Sequence, residues 1–354
     1  TFPMPAIYTA ALIGCGRMGA TIDDEVRDRP NSFLWIPYSH AAGYTACERT
    51  DLIAVSDVDG DKVEQIRQRY DARTGYTDYR EMIDREQPDI VSIATRPATH
   101  AEMTIYAAEH GVKGIYCEKP LCCSPAEADA MVAACDRHGV AFNYGTQRRY
   151  MPMYQKIRDM AHHGELGELE CVIGHCGVSA AQWGHTHTTD MLMFLAGDAA
   201  VVFAQGSIKM TDEDWDGNRL NTDPGITNAY FRFSNGIHAY IVAGSGFEFE
   251  ISGKKGKLRT QENGTYGQLR QVTEPWNMLK ETPFPDIEHA SGTVGGIQDI
   301  VDAIDTGRDT TGNIRLARSS QEMIFGIIAS HRSGGARIEL PLADRDLYVG
   351  RRDW

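Results

Sequence analysis

The sequence predicts an α/β protein of two domains: an N-terminal Rossmann-type doubly wound parallel sheet and a C-terminal α+β domain built on a large, mostly antiparallel open sheet. Three observations predict it. An apolar run, Ile7 and Ala10 to Ile13, leads straight into Gly14, Gly16 and Gly19, spaced G-x-G-x-x-G. Strand-like and helix-like segments then alternate as far as Tyr144. From about Gln147 strand-like runs follow one another across short turns, which is the grammar of antiparallel pairing. The boundary is drawn at 1–146 and 147–354, and a chain of 354 residues is long enough for each part to have its own core.

The glycine spacing carries chemistry. Gly14 permits a tight turn, Gly16 lets a diphosphate approach the backbone, and Gly19 lets the next helix lie against the strand, with the free N–H groups of the helix N-terminus facing the phosphates. The match follows the first apolar strand directly, which raises it above a chance match in a chain with 35 glycines. Residues 20–38 then hold Pro30, Pro37, an acidic cluster and Phe33-Leu34-Trp35-Ile36, and prolines break helices. This stretch is an insertion, read either as a lid beside a cofactor or as a surface loop packing its aromatics on its own domain. Ser39 to Arg49 resumes a helical pattern.

Asp51 to Val58 is a second strand with Asp57 at its end. An acid there accepts hydrogen bonds from ribose hydroxyls and repels a 2′-phosphate, and no Lys or Arg follows until Lys62, so NAD is favoured over NADP. The alternative is that Asp57 or Asp59 caps a helix over Lys62 to Tyr70. Further elements follow in order: a helix at Tyr79 to Glu86, a strand at Asp89 to Ala94, a helix at His100 to His110 and a strand at Gly114 to Cys117. Ser124 caps a helix with Pro125 at its first position and Gly139 after its end, and a strand occupies Val140 to Tyr144.

In the second half, helices are expected at Pro152 to His163 and Thr188 to Leu195. Strands are expected at Glu168 to Cys176, Ala200 to Lys209, Thr227 to Phe233, Ile237 to Ala243, Phe247 to Ile251 and Gly256 to Gln261. Gly295 to Thr306 and Ile314 to Ser333 return to helix, and Arg337 to Leu340 reads as a last strand. The loop 211–225 is rich in Asp, Asn and Trp, residues that suit either the hydroxyls and ring face of a sugar or a protein interface.

A net charge of −14 argues against nucleic acid or an anionic membrane as partner. No apolar run approaches the ~20 residues of a membrane span. Eight cysteines include no C-x-x-C pair, and with no signal peptide visible they read as reduced thiols of a cytoplasmic protein.

These features together resemble the Gfo/Idh/MocA family of NAD(P)-dependent sugar and cyclitol oxidoreductases. The resemblance rests on Gly14 to Gly19, on Ala94-Thr95 followed by Pro97 and His100, and on Glu118-Lys119-Pro120. Gly145 to Pro152, His187-Thr188-Thr189-Asp190 and the strand-turn-strand Phe247 to Leu258 complete it. It implies hydride transfer between a nicotinamide and a ring carbinol of a sugar, glycoside or cyclitol. Lys119 would polarise the reacting hydroxyl and His187 would serve as general acid/base, with His185 as a further proton carrier.

The resemblance draws cofactor contacts from Gly14, Cys15, Gly16, Arg17, Met18, Gly19, Asp57, Thr95, Arg96, Pro97, His100, Glu118, Lys119 and Gln147. Substrate contacts would come from Lys119, Arg149, Tyr150, Trp183, His185 and His187. It also implies a homo-oligomer, dimer or tetramer, formed through the C-terminal sheet.

The chain departs from the family pattern at Trp183, where an aspartate is common, and at His185, where a glycine is usual. Either Trp183 stacks on a sugar or aglycone and His185 moves protons, or both are packing residues. His185-x-His187 with Asp190 has the ligand types of a zinc site, but nothing else in the chain supplies a further ligand, and no metal is expected. Two rivals to a dehydrogenase stand. One is a redox-neutral glycosidase or lyase that keeps NAD bound and forms a keto-sugar transiently; the other is a catalytically silent NAD-binding regulator.

Overall fold

The computed structural model of the protein describes residues 6–274, 276 and 278–354. By packing, the chain divides into two compact units. The first holds residues 1–122, 127–150 and 290–315, and the second residues 123–126, 151–289 and 316–354. The segment around residues 290–315 therefore packs with the N-terminal fold, although it lies some 140 residues downstream of it.

In the first unit six strands form one parallel sheet: β1 (Tyr8–Ile13), β2 (Thr50–Ser56), β3 (Thr74–Tyr76), β4 (Ile90–Ile93), β5 (Gly114–Cys117) and β6 (Ala141–Tyr144), in the order β3-β2-β1-β4-β5-β6. The order reverses at β1, so the crevice between the C-terminal ends of β1 and β4 is where such a sheet takes its ligand. Strands β1, β4 and β5 are buried over almost their whole length, as a sheet covered on both faces requires. The short β3 was not legible beforehand because its three residues, Thr-Gly-Tyr, form no apolar run.

Helices α1 (Ile22–Val26), α2 (His40–Ala46), α3 (Gly60–Arg69), α4 (Tyr79–Glu86), α5 (Pro97–Glu109) and α6 (Pro125–His138) link the strands. In the stretch 20–38 the helix is broken as expected, stopping at Val26, short of Pro30. A single π-type turn, Arg17–Thr21, runs directly into α1. Beyond it the surface-loop reading describes the chain: Leu34 and Trp35 are buried, and only Phe33 is largely exposed. Trp35 stacks on Tyr38 at 5.6 Å and lies under the Arg148 guanidinium. The Asp23 carboxylate accepts the N–H groups of Tyr38 and Ser39 at 2.8 and 2.9 Å, so one of the cluster's acids closes the loop.

In the second unit a nine-stranded sheet runs through β7 (Leu169–Cys176), β8 (Val201–Ile208), β11 (Ile226–Phe233), β12 (His238–Ala243), β13 (Phe247–Gly253), β14 (Gly256–Gln261), β15 (Tyr266–Glu274), β16 (Met278–Thr282) and β17 (Ile338–Glu339). Its order is β16-β15-β14-β13-β7-β12-β11-β8-β17, antiparallel throughout except between β7 and β12. The loop 211–225 is not irregular. It carries β9 (Trp215–Asp216) and β10 (Arg219–Leu220), which join β18 (Tyr348–Val349) in a separate three-stranded sheet.

Helices α7 (Pro152–His162) and α8 (His185–Leu195) pack on one face of the large sheet. That face is lined by Val172, Gly174, Cys176, Ala229, Phe231, Ala239 and Ile241. The opposite face alternates with it and carries Ile173, Tyr230, Tyr240 and Val242, together with the ion pairs Lys257–Glu250 and Arg259–Glu248.

Helix α9 (Gly292–Thr306) returns to the first unit, where Ile297, Ile300 and Val301 join the same core as Leu12, Val55 and Tyr116. Gly114 is needed there, because a Cβ would sit 2.5 Å from Ile300. Helix α10 (Ile314–Arg332) begins at the end of this segment.

Asp299 of α9 is buried and serves four partners: the Tyr150 hydroxyl at 3.0 Å, the Thr311 N–H at 2.7 Å, the Asn143 amide at 3.4 Å and Arg308 at 2.7 Å. Truncating one member of such a network strands the others. Asp299→Ala is expected to lower unfolding free energy by about 3 kcal/mol in urea titrations. A loss below ~1 kcal/mol would show that water replaces the carboxylate without penalty.

Candidate active site

The first unit's site begins with the turn after β1. Gly14 has φ +97°, and a Cβ on it would come within 2.5 Å of the Ala94 carbonyl oxygen; at Gly19 a Cβ would come within 1.9 Å of Gly14's own carbonyl. Both are packing requirements of the turn. Gly16 is different: nothing lies within 4 Å of where its Cβ would stand. Its hydrogen is not needed for the fold, and the open space above it is what a close-approaching diphosphate requires.

Asp57 stands just past β2, and its carboxylate accepts the Cys15 N–H at 2.8 Å and the Asp59 N–H at 3.0 Å. It ties the strand end to the glycine turn. The capping alternative falls to its neighbour, since Asp59 accepts the N–H groups of Asp61 and Lys62 at the start of α3. Cys15 is buried with its Sγ against the Ser56 carbonyl, and burial, with the Asp57 charge adding to it, pushes its thiol up to about 12. Its backbone, not its thiol, faces this chemistry. Arg17 is exposed and paired with Glu25.

The Glu118-Lys119-Pro120 turn leaves the end of β5. Glu118 is buried, and its carboxylate accepts from His40 Nε2 at 3.1 Å and from the Lys119 N–H at 3.1 Å. Burial works to raise its pKa, but the His40 hydrogen bond, the His40 and Lys119 charges and His100 together hold it below the usual carboxylate value. His40 Nδ1 bonds the Ser92 hydroxyl of β4, and its ring stacks on Tyr116 at 4.5 Å. Gly145 leaves the space, as a Cβ there would come within 2.8 Å of the Glu118 carboxylate.

Sequence reasoning missed His40 and Ser92. Each is unremarkable in its own segment, and His40 is separated from Glu118 by 78 positions. Lys119 is the half-exposed member of a stretch, residues 114–125, that is otherwise buried.

Thr95 bonds Thr99 across the first turn of α5, and Arg96 stands at its N-cap with Pro97 at the first helical position. His100 is fully buried, with Nδ1 donating to the Pro120 carbonyl at 2.8 Å. Burial lowers its pKa, so it is a neutral prop under the turn rather than a solvent-facing ligand of the cofactor. Arg149 is fully buried. The Tyr150 hydroxyl is committed to Asn143 and Asp299, and burial, then the Asp299 charge, pushes its pKa well up. Arg149 is closed to solvent and the Tyr150 hydroxyl is engaged, contrary to the expectation of substrate contacts. Gln147 is buried too, and its amide nitrogen has no partner among the described residues.

In the second unit, α8 starts at His185, three residues before the expected Thr188, so both histidines lie in its first turn. Two positions apart on a helix they face different ways. His185 is 1% exposed and bonds Thr188 Oγ1 at 3.1 Å; Thr186, Thr188, Thr189 and Asp190 are also buried. Within 185–190 only His187 keeps access to solvent. Burial lowers the His185 pKa to about 4, against a weaker opposing effect of a Gly177 backbone contact, so it is neutral and sealed. That corrects the expectation of His185 as a proton carrier.

Trp183 precedes the helix and is 43% exposed. Among the described residues no group of three or more His, Cys, Asp or Glu is placed to hold a metal, and no helix is long and apolar enough to cross a membrane.

Two tests follow from this geometry. Gly16→Ala should fold with an unchanged melting temperature yet lose NAD affinity by about tenfold or more in calorimetric titration, whereas Gly19→Ala should lower the melting temperature itself. His185 has a folded pKa below its unfolded value near 6.5, so unfolding takes up a proton. Its contribution is complete above pH ~6.5 and is lost as pH falls towards about 4, on the order of 3 kcal/mol at most. His185→Asn should flatten the stability–pH curve across that window, and a curve unchanged by the substitution would refute the assignment.

Comparison with known proteins agrees with this architecture. The oxidoreductase-family model described as an NAD-binding Rossmann fold matches residues 8–146, and the family's C-terminal alpha/beta domain matches residues 180–340. An uncharacterized oxidoreductase, YrbE, of Bacillus subtilis is 30% identical over 320 residues, covering 82% of this chain and 92% of that protein. Myo-inositol 2-dehydrogenase of Thermotoga maritima is 25% identical over 239 residues, 62% of this chain and 70% of that one. A 2,7-anhydro-N-acetylneuraminate hydratase of Mediterraneibacter gnavus is 23% identical over 284 residues, 73% and 69%. A solved levoglucosan dehydrogenase in complex with NADH and levoglucosan superposes with a TM-score of 0.75 at 19% identity, covering 94% of this chain and 99% of that one, which speaks to the fold. With a family match across both halves and a relative at 30% identity over most of its length, the chain belongs to the Gfo/Idh/MocA family of NAD-binding oxidoreductases.

Proposed function

We propose that the protein is an NAD-dependent dehydrogenase acting on a ring carbinol of a sugar, glycoside or cyclitol. The observation that carries this reading is the buried Glu118, bonded to both His40 and the Lys119 N–H, which fixes the start of the lysine at the C-terminal end of β5. NAD, when bound, accepts or returns the hydride of the substrate carbon. The Gly16 turn and Asp57 hold the dinucleotide, with the exposed space over Gly16 taking the diphosphate.

Lys119 stabilises negative charge developing on the substrate oxygen. His187, the accessible histidine of its helix turn, takes or returns the hydroxyl proton. Trp183 offers a flat apolar face to a ring. Eight cysteines with no disulfide among the described residues fit a reducing, cytoplasmic setting. A second copy of the chain covers the half-buried face carrying Ile173, Tyr230 and Tyr240, which makes the protein a homo-oligomer.

A second reading, a redox-neutral elimination or hydrolysis with NAD retained, is supported by the relative named as a hydratase and by Trp183 in place of the usual aspartate. The two are told apart on a panel of sugars, glycosides and inositols. NADH absorbance growing in step with sugar consumed selects the dehydrogenase, and aglycone released without net NADH selects the second. Under either, His187→Ala should cut kcat at least ~10²-fold with NAD affinity retained. An unchanged rate would remove His187 from this role.

A further inference from the structure

The small sheet of β9, β10 and β18 has no part in the chemistry above, yet the chain that leaves β10 closes on the turn before α8. Residues 223–226 run alongside 179–183. The Ile226 N–H donates to the Ser179 carbonyl at 3.0 Å, Ala180 bridges to Gly225, and the Ala181 N–H donates to the Pro224 carbonyl at 2.8 Å. Where that pairing ends, a side chain continues it. The Asp223 carboxylate takes the Gln182 N–H on one oxygen at 2.7 Å and the Trp183 N–H on the other at 2.9 Å. A carboxylate has an acceptor for each, and bonds to a charged acceptor are stronger than neutral ones. Pro224 disfavours a helical backbone at the residue before it, which favours an extended Asp223 before any contact forms.

This clamp bears on Trp183 more than on its neighbours. Just beyond it the chain must turn at once. A Cβ at Gly184 would stand 2.1 Å from Ser179 Oγ, and the N–H groups of Gly184 and His185 both donate to the Ala180 carbonyl. The Trp183 ring is 43% exposed and tilted by 35° from that of Trp354 at 6.5 Å, so packing covers it only in part and its direction follows its backbone. His187 is held by other means. Its helix turn is anchored by His185 on Thr188 and by Thr189 on Ser320 of α10, all four of them buried.

We propose that Asp223 is a positioning residue for substrate binding: its carboxylate fixes the Trp183 backbone so that the indole face meets the substrate ring, and it does so without setting His187. The loop 211–225 then acts on the substrate through a main-chain clamp on another segment. The proposal rests on the reading of Trp183 as a face for that ring, while the clamp itself does not. It separates two properties of one short stretch, because Asp223 governs how firmly the ring is held and α8 governs the proton transfer.

The test is Asp223→Asn, which keeps the shape and one acceptor oxygen but sets an NH2 group against the second N–H. In hydrogen-exchange mass spectrometry of the NAD-loaded full chain, the peptide over residues 180–185 should exchange about tenfold faster, with α8 unchanged. The melting temperature should fall by no more than about 4 °C. Unchanged exchange over 180–185 overturns the proposal. In steady-state kinetics with NAD and D-glucose, methyl β-D-glucoside or myo-inositol, KM should rise about tenfold while kcat stays within about twofold. Trp183→Ala should raise KM as far, and the double variant no further, because the aspartate acts through the tryptophan. A purely structural brace would lower the melting temperature and leave KM in place. If Trp183→Ala raises KM and Asp223→Asn does not, or if the two effects simply multiply, the positioning role is wrong and the reading of Trp183 stands. If neither variant moves KM, that reading itself fails and the positioning role falls with it.

Discussion

The interaction on which the first unit's chemistry depends is the buried pair of His40 and Glu118. A carboxylate inside a protein is tolerable only when its lone pairs are occupied. Here His40 and the Lys119 N–H occupy them, and Gly145 makes the room. One consequence is positional. The chain must turn at the end of β5 in the one way that satisfies the carboxylate, and the half-exposed Lys119 is the residue left over. His100 completes the arrangement from below by holding the Pro120 carbonyl while remaining neutral itself.

The same economy of space shapes the phosphate turn. At Gly14 and Gly19 the backbone passes so close to other backbone that no side chain fits, and at Gly16 there is room but nothing filling it. Three glycines in one motif thus answer to two constraints, internal packing and external approach. Asp57 links both to the neighbouring strand through the Cys15 N–H, so the acid proposed above to hold the dinucleotide also braces the turn beneath it.

In the second unit the helix α8 buries nearly its whole first turn against the sheet. Thr186 and Thr189 hydroxyls bond backbone carbonyls one turn back, and Gly174 of β7 lets Thr188 lie close. Burial sorts two chemically identical side chains two positions apart into a sealed neutral histidine and an accessible one. The C-terminal strand β18 contributes to the same region, since the Gln182 amide donates to the Val349 carbonyl at 2.7 Å.

Much of this was legible in the sequence, for a physical reason. The parallel sheet, the glycine turn, Asp57 at its strand end and the Glu118-Lys119-Pro120 turn are all set by local periodicity and by residues a few positions apart, and so is the helix that Ser124, Pro125 and Gly139 bound. Short or polar elements, β3, β9, β10 and β18, gave no such signal, because pairing rather than propensity makes them strands. Only the tertiary structure decided that His40 meets Glu118, that α9 returns to the first core, that Tyr150 is spent on Asp299, and that His185 is closed where His187 is open. Those outcomes depend on which distant segment fills a given volume, and a one-dimensional pattern records neighbours along the chain but not across it.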